Sequence, residues 1–275
     1  MKKSVVRHSL LSAAACAALS VMAVAPGHLS RRQRSGFLNI NYAHRGLYTA
    51  DQSIPENSLS AFRLAAREGY GIELDVQLSS DGQVVVFHDD TLDRVCGVHA
   101  RVDALSYEKL SALRLCGTEE RIPLFPDVLN TIQGCEALIV ELKNGHRNRE
   151  LCRKTKAYLD TFQGRVCVES FNPLIVAWFR LHAPHYVRGQ LTTTIEDYGT
   201  EGFGNVGAFV LHHTLLNFLG RPHFIASRIG TRSLSLRLCS RLGAMNFGWT
   251  SHDAGIEKDY DAVIFEHYRP EPRFR

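Results

Sequence analysis

The sequence predicts an α/β protein with the (β/α)8, or TIM, barrel fold, and three observations point to it. The 275 residues, 45% of them hydrophobic, suit one large domain with a sizeable core. Short β-like runs alternate with helical stretches through most of the chain, which is the pattern of parallel β/α units. Several of these runs end in titratable side chains, as barrel strands do at the edge where active sites lie. We therefore predict one barrel domain over residues 38–275.

The alternation predicts eight strands and several helices between them. The predicted strands are Ile40 to Ala43, Tyr70 to Leu78, Val84 to His88, Ala137 to Leu142, Val166 to Ser170, Val187 to Leu191, Ala208 to His212 and Met245 to Trp249. The predicted helices are Ser58 to Glu68, Tyr107 to Leu113, Asn148 to Phe162, Pro173 to His182 and Ser233 to Leu242. The first helix shows the basis of these assignments, because apolar residues recur on one face from Leu59 to Ala66 and Gly69 follows as a stop signal.

Residues 1–37 are predicted to form an N-terminal targeting or anchor segment followed by a basic linker. The stretch from Ser9 to Ala25 is apolar and is preceded by Lys2, Lys3 and Arg7. Its length fits both a short membrane anchor and a signal peptide, and its last three residues resemble a signal-peptidase site. The expected location is therefore at a membrane through this anchor, or outside the cytoplasm if the segment is cleaved. Basic residues on both sides leave the side of the membrane open.

Composition argues against several classes of partner and cofactor. Much of the net charge of +4 comes from the N-terminal end, so the remainder offers no basic surface for nucleic acid. The seven cysteines form no Cys-x-x-Cys pair, which leaves zinc-ribbon, thioredoxin and haem sites without support. We expect mostly buried free thiols, while three disulfides stay open as an alternative if the chain is exported.

Two predicted strands place pairs of charged side chains on one face. Glu73 and Asp75 are two residues apart in GIELDVQL, so both project from the same face of the strand. Two like charges inside a barrel would repel and lose hydration, so a bound cation is the economical explanation. Glu141 and Lys143 repeat the spacing in ALIVELKNG and add a third carboxylate and a fixed positive charge. Carboxylate oxygens suit Mg²⁺ or Ca²⁺ better than zinc.

Two histidines stand at the ends of predicted strands. His44 and Arg45 follow the first strand, and Gly46 permits a sharp turn behind them. His88 ends the apolar run VVVFH and is followed by two aspartates. Imidazoles titrate near neutral pH, which suits them to both removal and donation of a proton.

With these residues in this order, the chain resembles the glycerophosphodiester phosphodiesterase family. The motifs that carry the resemblance are AHRG at 43–46, PENS at 55–58, ELD at 73–75, HDDTLDR at 88–94, IPLFPDVL at 122–129, ELK at 141–143, ESFNP at 169–173, RGQL at 188–191 and GWT at 248–250. They cover nearly all of the chain after the N-terminal segment. Ser251 and His252 replace the family's usual apolar residue and asparagine, which leaves the shape of the substrate open.

The resemblance implies a barrel of the PLC-like phosphodiesterase type without a large inserted subdomain. It implies one divalent cation, Mg²⁺ or Ca²⁺, held by Glu73, Asp75 and Glu141, with His44 as base and His88 as acid. The implied substrate-binding residues are Arg45 and Lys143 for phosphate, Glu56 near the metal, and Phe171 and Trp249 as apolar walls against the glycerol carbons.

The implied reaction is hydrolysis of a glycerophosphodiester to sn-glycerol 3-phosphate and an alcohol. In the family's route the glycerol 2-hydroxyl attacks the phosphorus, and water then opens the cyclic phosphate. Two related alternatives stay open, namely a lysophospholipase D acting on lysophospholipids and a hydrolase of polymeric glycerophosphates. An inactive barrel that binds a phosphorylated ligand is the alternative from another class, and the complete set of acid, base and metal residues disfavours it.

Overall fold

The structure is a computed structural model that describes residues 18–231 and 233–274. In this part of the chain nine strands form one sheet: β1 (Asn41–Ala43), β2 (Gly71–Leu78), β3 (Val84–Val86), β4 (Leu138–Leu142), β5 (Val166–Ser170), β6 (Val187–Thr192), β7 (Phe224–Arg228), β8 (Met245–Ser251) and β9 (Ala262–Phe265). Strand β1 pairs in parallel with both β2 and β9, so all strands except β3 close into an eight-stranded parallel barrel. The predicted (β/α)8 fold is thereby confirmed.

Helices connect the strands on the outside of the barrel. From residue 31 onwards, the described helices are Arg31–Ser35, Leu59–Arg67, Asp93–Cys96, Tyr107–Ser111, Phe125–Thr131, Asn148–Leu159, Pro173–His182, Ile195–Thr200, Asn205–His212, Asn217–Gly220 and Leu234–Arg241, with 3-10 turns at Val102–Ala104 and Ala254–Asp259. All five predicted helices are present. The helix Leu59–Arg67 begins where the Ser58 hydroxyl accepts a hydrogen bond from the Ala61 amide at 3.2 Å, which is a side-chain N-cap.

Two predicted barrel strands are wrong, and two real ones were not predicted. Strand β3 exists, but it pairs antiparallel with β2 and does not belong to the barrel. Residues 208–212 lie in the helix Asn205–His212 instead of in a strand. The barrel is completed by β7 and β9, whose short apolar runs were not recognised. A run of about five apolar residues does not distinguish a strand from a buried helix turn, which explains both kinds of error.

Aromatic rings fill the barrel interior towards the N-terminal ends of the strands. Tyr42, Phe224 and Phe247 are fully buried, and the rings of the two phenylalanines stack with their centroids 4.3 Å apart. Gly71 faces this layer, because a Cβ atom there would lie 2.5 Å from the ring of Tyr42. The polar side chains of the strands collect above this apolar floor, at the C-terminal ends.

The excursion between β2 and β4, residues 79–137, builds one side of the cleft above the barrel. Its buried side chains, among them Val85, Phe87, Leu92 and Leu110, form a small apolar cluster of their own. Strand β3 joins this excursion to the sheet. The cluster therefore gives the segment 88–94 a fixed support although that segment lies outside the barrel wall.

The described part of the predicted N-terminal segment packs against the outside of the barrel. Residues 18–24 are helical, and Val24 is buried in a cluster with Ile225 and Cys239. The Val24 carbonyl accepts a hydrogen bond from Asn217 Nδ2 at 3.2 Å. Most of the predicted targeting or anchor segment falls in residues 1–17, outside the described residues, so that assignment stays a prediction. Among the helices that the structure describes, none combines the length and the hydrophobicity needed to span a bilayer.

The cysteines of the described residues are all free thiols. They are Cys96, Cys116, Cys135, Cys152, Cys167 and Cys239, and the last four are buried. Burial raises the pKa of Cys135 to about 11 and that of Cys152 to about 12, which keeps both thiols protonated and unreactive near neutral pH.

Candidate active site

A cleft of about 1030 Å³ opens at the C-terminal ends of the barrel strands. The predicted site residues that line it are His44, Arg45, Glu56, Glu73, His88, Glu141, Lys143, Phe171 and Trp249. Asp75, the remaining predicted site residue, is 1% exposed and lies between Glu73 and Lys143 at its base. Residues that are far apart in the sequence thus meet at one place, as expected for the C-terminal face of a barrel.

Three carboxylates form a compact buried group in the cleft. Glu73 and Asp75 project from β2, and Glu141 is the register partner of Asp75 on the adjacent strand β4. Each offers one oxygen, and these oxygens all lie within 4.8 Å of one another. Burial, together with the charges of Asp75, Glu141 and Glu169, holds the pKa of Glu73 well above its usual range. The group is therefore unfavourable without compensating positive charge.

The donor set fits a hard divalent cation. It consists only of carboxylates, which are the ligands that Mg²⁺ and Ca²⁺ prefer. Asp75 Oδ1 is buried and has no hydrogen-bond partner among the described residues, so one oxygen is left for a ligand. Asn57 Nδ2 donates to the other oxygen, Oδ2, at 2.9 Å and so fixes the orientation of the carboxylate.

Two cations stand beside the carboxylate group. Lys143 Nζ lies 2.9 Å from Glu141 Oε1 and 3.6 Å from Asp75 Oδ1. Arg45 Nη1 lies 2.8 Å from Glu56 Oε1, and the Arg45 amide donates to Glu73 Oε2 at 3.0 Å. Although burial lowers the pKa of Arg45, the Asp75 and Glu56 carboxylates raise it more, so the guanidinium stays charged. Both cations can contact an anionic ligand at the carboxylate group.

His44 is oriented by a carboxylate from the last barrel strand. His44 Nδ1 lies 2.8 Å from Glu266 Oε2, while its Nε2 lies on the other side of the ring, 3.9 Å from Glu73 Oε2. Burial and the adjacent Arg45 charge lower the pKa of His44, and Glu266 only partly offsets them. The ring is therefore neutral near pH 7, and a neutral ring that donates from Nδ1 has a free electron pair on Nε2.

His88 is oriented by its neighbour in the sequence. His88 Nδ1 lies 2.6 Å from Asp89 Oδ1, and Arg94 Nε donates to Asp89 Oδ2 at 2.7 Å. Arg94 also binds both oxygens of Glu56, each at 2.7 Å. Although burial raises the pKa of Asp89, the hydrogen bonds from His88 and Arg94 lower it well below its usual range. Glu56 thus links the two sides of the site, since Arg45 and Arg94 share its carboxylate.

An apolar wall lies beside the polar group. Phe171, at the end of β5, meets Trp249 on β8 edge to face, with ring centroids 5.8 Å apart. The indole Nε1 of Trp249 donates to the Ala226 carbonyl at 3.1 Å, which holds the ring in place. The wall provides a surface for a short carbon chain next to an anion site.

Four residues that contribute to the site were not given roles from the sequence. Glu266 follows β9, and its contact with His44 could not be foreseen without that strand. Asp89 and Arg94 lie in the quoted motif HDDTLDR, which was the available signal for their pairing. Glu169 lies in ESFNP and is buried in the cleft, where burial and the Glu141 and Asp75 charges raise its pKa well above its usual range.

A parallel barrel whose C-terminal face combines a buried carboxylate group, two oriented imidazoles and two cations has the architecture of a barrel enzyme with a polar site at its strand ends. Comparison with known families makes this specific. The model of the glycerophosphoryl diester phosphodiesterase family matches residues 44–254, and the chain belongs to this family.

Several characterised or solved proteins resemble the chain. A glycerophosphodiester phosphodiesterase of Caldanaerobacter subterraneus is 34% identical over 164 residues, which cover 54% of this chain and 65% of that protein. The human lysophospholipase D GDPD1 is 35% identical over 116 residues, 38% of this chain and 36% of its own length. An Oleispira antarctica phosphodiesterase, solved with the product sn-glycerol-3-phosphate, superposes with a TM-score of 0.69 at 23% identity over 85% of this chain and 95% of that one.

Proposed function

We propose that the protein hydrolyses glycerophosphodiesters to sn-glycerol 3-phosphate and an alcohol, and that it needs one divalent cation, Mg²⁺ or Ca²⁺. The observation that carries the proposal is the buried group of Glu73, Asp75 and Glu141 in the same cleft as two carboxylate-oriented histidines. Membership of the family supports the reaction class.

The carboxylate group would hold the cation, which when bound neutralises phosphate oxygens and makes the phosphorus more electrophilic. The Arg45 guanidinium and the Lys143 ammonium would bind the remaining phosphate charge and hold the diester in position. Phe171 and Trp249 would pack against the glycerol carbons and exclude water from that side.

The two histidines would exchange protons with the substrate. His44 is the better base, because it is neutral and Glu266 keeps the proton on Nδ1. Its Nε2 would accept the proton of the attacking glycerol 2-hydroxyl. His88, with Asp89 at Nδ1, would donate a proton from Nε2 to the departing alcohol oxygen. Water would then open the cyclic phosphate with the two roles reversed.

The proposal is tested by measuring release of sn-glycerol 3-phosphate from glycerophosphocholine by the full chain, with Mg²⁺, with Ca²⁺ and with EDTA. We expect release with a divalent ion, loss with EDTA and recovery when the ion is restored. Glu73→Ala should reduce release to the level of the chelated enzyme and weaken binding of the ion in calorimetry. Glu108→Ala, which removes an exposed carboxylate from the excursion, is the matched control and should change neither quantity.

A folded protein that binds Mg²⁺ or Ca²⁺ through these carboxylates, yet releases nothing from any glycerophosphodiester, would overturn the assignment. Release that persists in EDTA and in Glu73→Ala would overturn the metal dependence alone.

A further inference from the structure

Glu169 is a buried carboxylate in the cleft for which the mechanism above has no use. It lies on β5, is 2% exposed and lines the cleft together with the site residues. In residues 18–231 and 233–274, no group donates a hydrogen bond to its Oε2 atom. A buried acceptor without a donor costs about 1–3 kcal/mol, so this oxygen lacks a donor that a bound ligand could supply.

The position of Glu169 separates it from the carboxylate group of Glu73, Asp75 and Glu141. It is the register partner of Glu141 on one side and of Gly189 on the other, so it stands one strand further round the barrel. Its oxygens are not among those that lie within 4.8 Å of one another. Phe171 follows two residues later, just after the end of β5, and lines the same cleft as Glu169.

The geometry of a glycerophosphodiester matches this arrangement. Its 2-hydroxyl is on the carbon next to the phosphoester carbon and therefore stays near the phosphate. Its terminal hydroxyl is one carbon further away. With the phosphate at the carboxylate group and the carbons along Phe171, the terminal hydroxyl would lie beyond the carboxylate group, on the side where the next strand carries Glu169.

We propose that Glu169 accepts a hydrogen bond from the terminal glycerol hydroxyl and so selects diesters in which this hydroxyl is free. This inference rests on the proposed function and narrows its substrate class. In a 1-acyl lysophospholipid the terminal oxygen is an ester and donates no hydrogen bond. Binding such a substrate would leave Glu169 Oε2 buried and unpaired, which a polar site rejects strongly.

The test uses choline release from three diesters that all keep the 2-hydroxyl. They are glycerophosphocholine, its analogue with a methyl group in place of the terminal CH2OH, and a 1-acyl lysophosphatidylcholine with a short acyl chain. We expect the wild type to prefer glycerophosphocholine over the other two by about a hundredfold or more in kcat/KM.

Two variants test whether the acceptor oxygen of Glu169 sets the preference. Glu169→Met removes both oxygens at nearly constant length and should abolish the preference by lowering activity on glycerophosphocholine alone. Glu169→Gln keeps an acceptor oxygen at the same place and should retain most of the preference. Glu201→Gln alters another carboxylate that lines the cleft, one that is exposed, and should leave the ratio between substrates unchanged. All assays are run at saturating Mg²⁺, with Mg²⁺ affinity measured separately.

The outcomes distinguish the two proposals. If the wild type cleaves the methyl analogue as well as glycerophosphocholine, the role of Glu169 is overturned while the diesterase function stands. Equal losses on all three substrates in Glu169→Met would likewise overturn it and assign Glu169 a structural or metal-related role. If the wild type cleaves none of them, the proposed function fails and this inference fails with it.

Discussion

His44 and His88 face the same cleft, but the protein holds them in two different ways. The partner of His44 is Glu266, which is 222 positions away in the sequence and is brought close only when β9 pairs with β1. The partner of His88 is the next residue, Asp89, and the pair stands on the excursion outside the barrel. One imidazole therefore depends on barrel closure, and the other depends on a local loop.

His88, the histidine on the loop, is stabilised indirectly by the ion pairs of Arg94. Arg94 binds Asp89 and the 5%-exposed Glu56, and Glu56 also binds Arg45 beside the barrel histidine. An exposed ion pair usually contributes little to stability. Arg94, however, binds the buried carboxylate of Glu56 through two hydrogen bonds. The arrangement places His44 and the carboxylate group on the barrel and His88 on the excursion.

The largest effect is expected from removal of the imidazoles, and the leaving group should tell them apart. His44→Ala should lower kcat/KM by about 10²–10⁴-fold on both glycerophosphocholine and the p-nitrophenyl ester of glycerol phosphate, since both need the base. His88→Ala should lose as much on glycerophosphocholine but far less on the p-nitrophenyl ester, whose leaving group needs no proton. The losses in both variants are measured as the rate of alcohol release in the first turnover.

If instead His44→Ala kept most of its activity on the p-nitrophenyl ester and His88→Ala did not, His44 would be the acid and His88 the base. Equal losses on both substrates in both variants would mean that neither histidine protonates the leaving group. His146→Ala, a histidine on the loop after β4, provides the control for the substitution itself and should retain activity.

The contrast between the two histidines also explains what the sequence could and could not predict. Glu73, Asp75 and Glu141 were predictable because each stands in an apolar strand, where a buried charge is unfavourable unless it is compensated. Lys143 was predictable because it directly follows such a strand. Glu266 was not, because the short run AVIF before it gave no periodic signal and β9 was missed. Its pairing with His44 exists only in the closed barrel.

The fold was predictable in class but not in every strand. Eight strands were expected, but one of them pairs outside the barrel as β3 and another lies in the helix Asn205–His212. The alternation of β-like and helical runs is a property of the whole chain. The fold class predicted from it therefore stays correct when single strands are misassigned. The place of a strand in the sheet is decided by long-range pairing, which a local pattern does not contain. Glu169 illustrates the same limit, because its neighbour Glu141 is apparent only from the register of β4 and β5.

A smaller effect is expected from the carboxylates that orient the two histidines. Glu266→Gln and Asp89→Asn keep the size of each side chain but remove the charge that fixes the ring, and each should lower kcat/KM by about 10–100-fold. Asp89→Asn should also loosen residues 88–94, because Arg94 loses a partner, and hydrogen exchange of that segment should rise. Glu266→Gln should leave exchange in that segment unchanged.

Tyr48→Phe is the matched control for the barrel side. The Tyr48 hydroxyl donates at 2.5 Å to Glu266 Oε2, the oxygen that His44 also contacts. Removal of this hydroxyl leaves the contact between His44 and Glu266 in place. Activity near that of the wild type is expected. A loss in Tyr48→Phe as large as that in Glu266→Gln would show that the orientation of Glu266, more than its charge, sets the rate.

The smallest expected effect is a shift of the pH profile of kcat/KM. It is the most specific test of His44 as the base. The base must be unprotonated, so kcat/KM should fall as the pH drops through the pKa of His44, which burial and Arg45 place below the ordinary value of 6.5. Glu266 opposes this lowering, so Glu266→Gln should lower the pKa further and move the acidic limb to lower pH. Asp89→Asn should not move it, since Asp89 contacts the other imidazole. His252 and His267 lie 3.6 Å and 3.7 Å from Glu266 Oε1, so a limb that moves instead in His252→Gln or His267→Gln would contradict the assignment to His44.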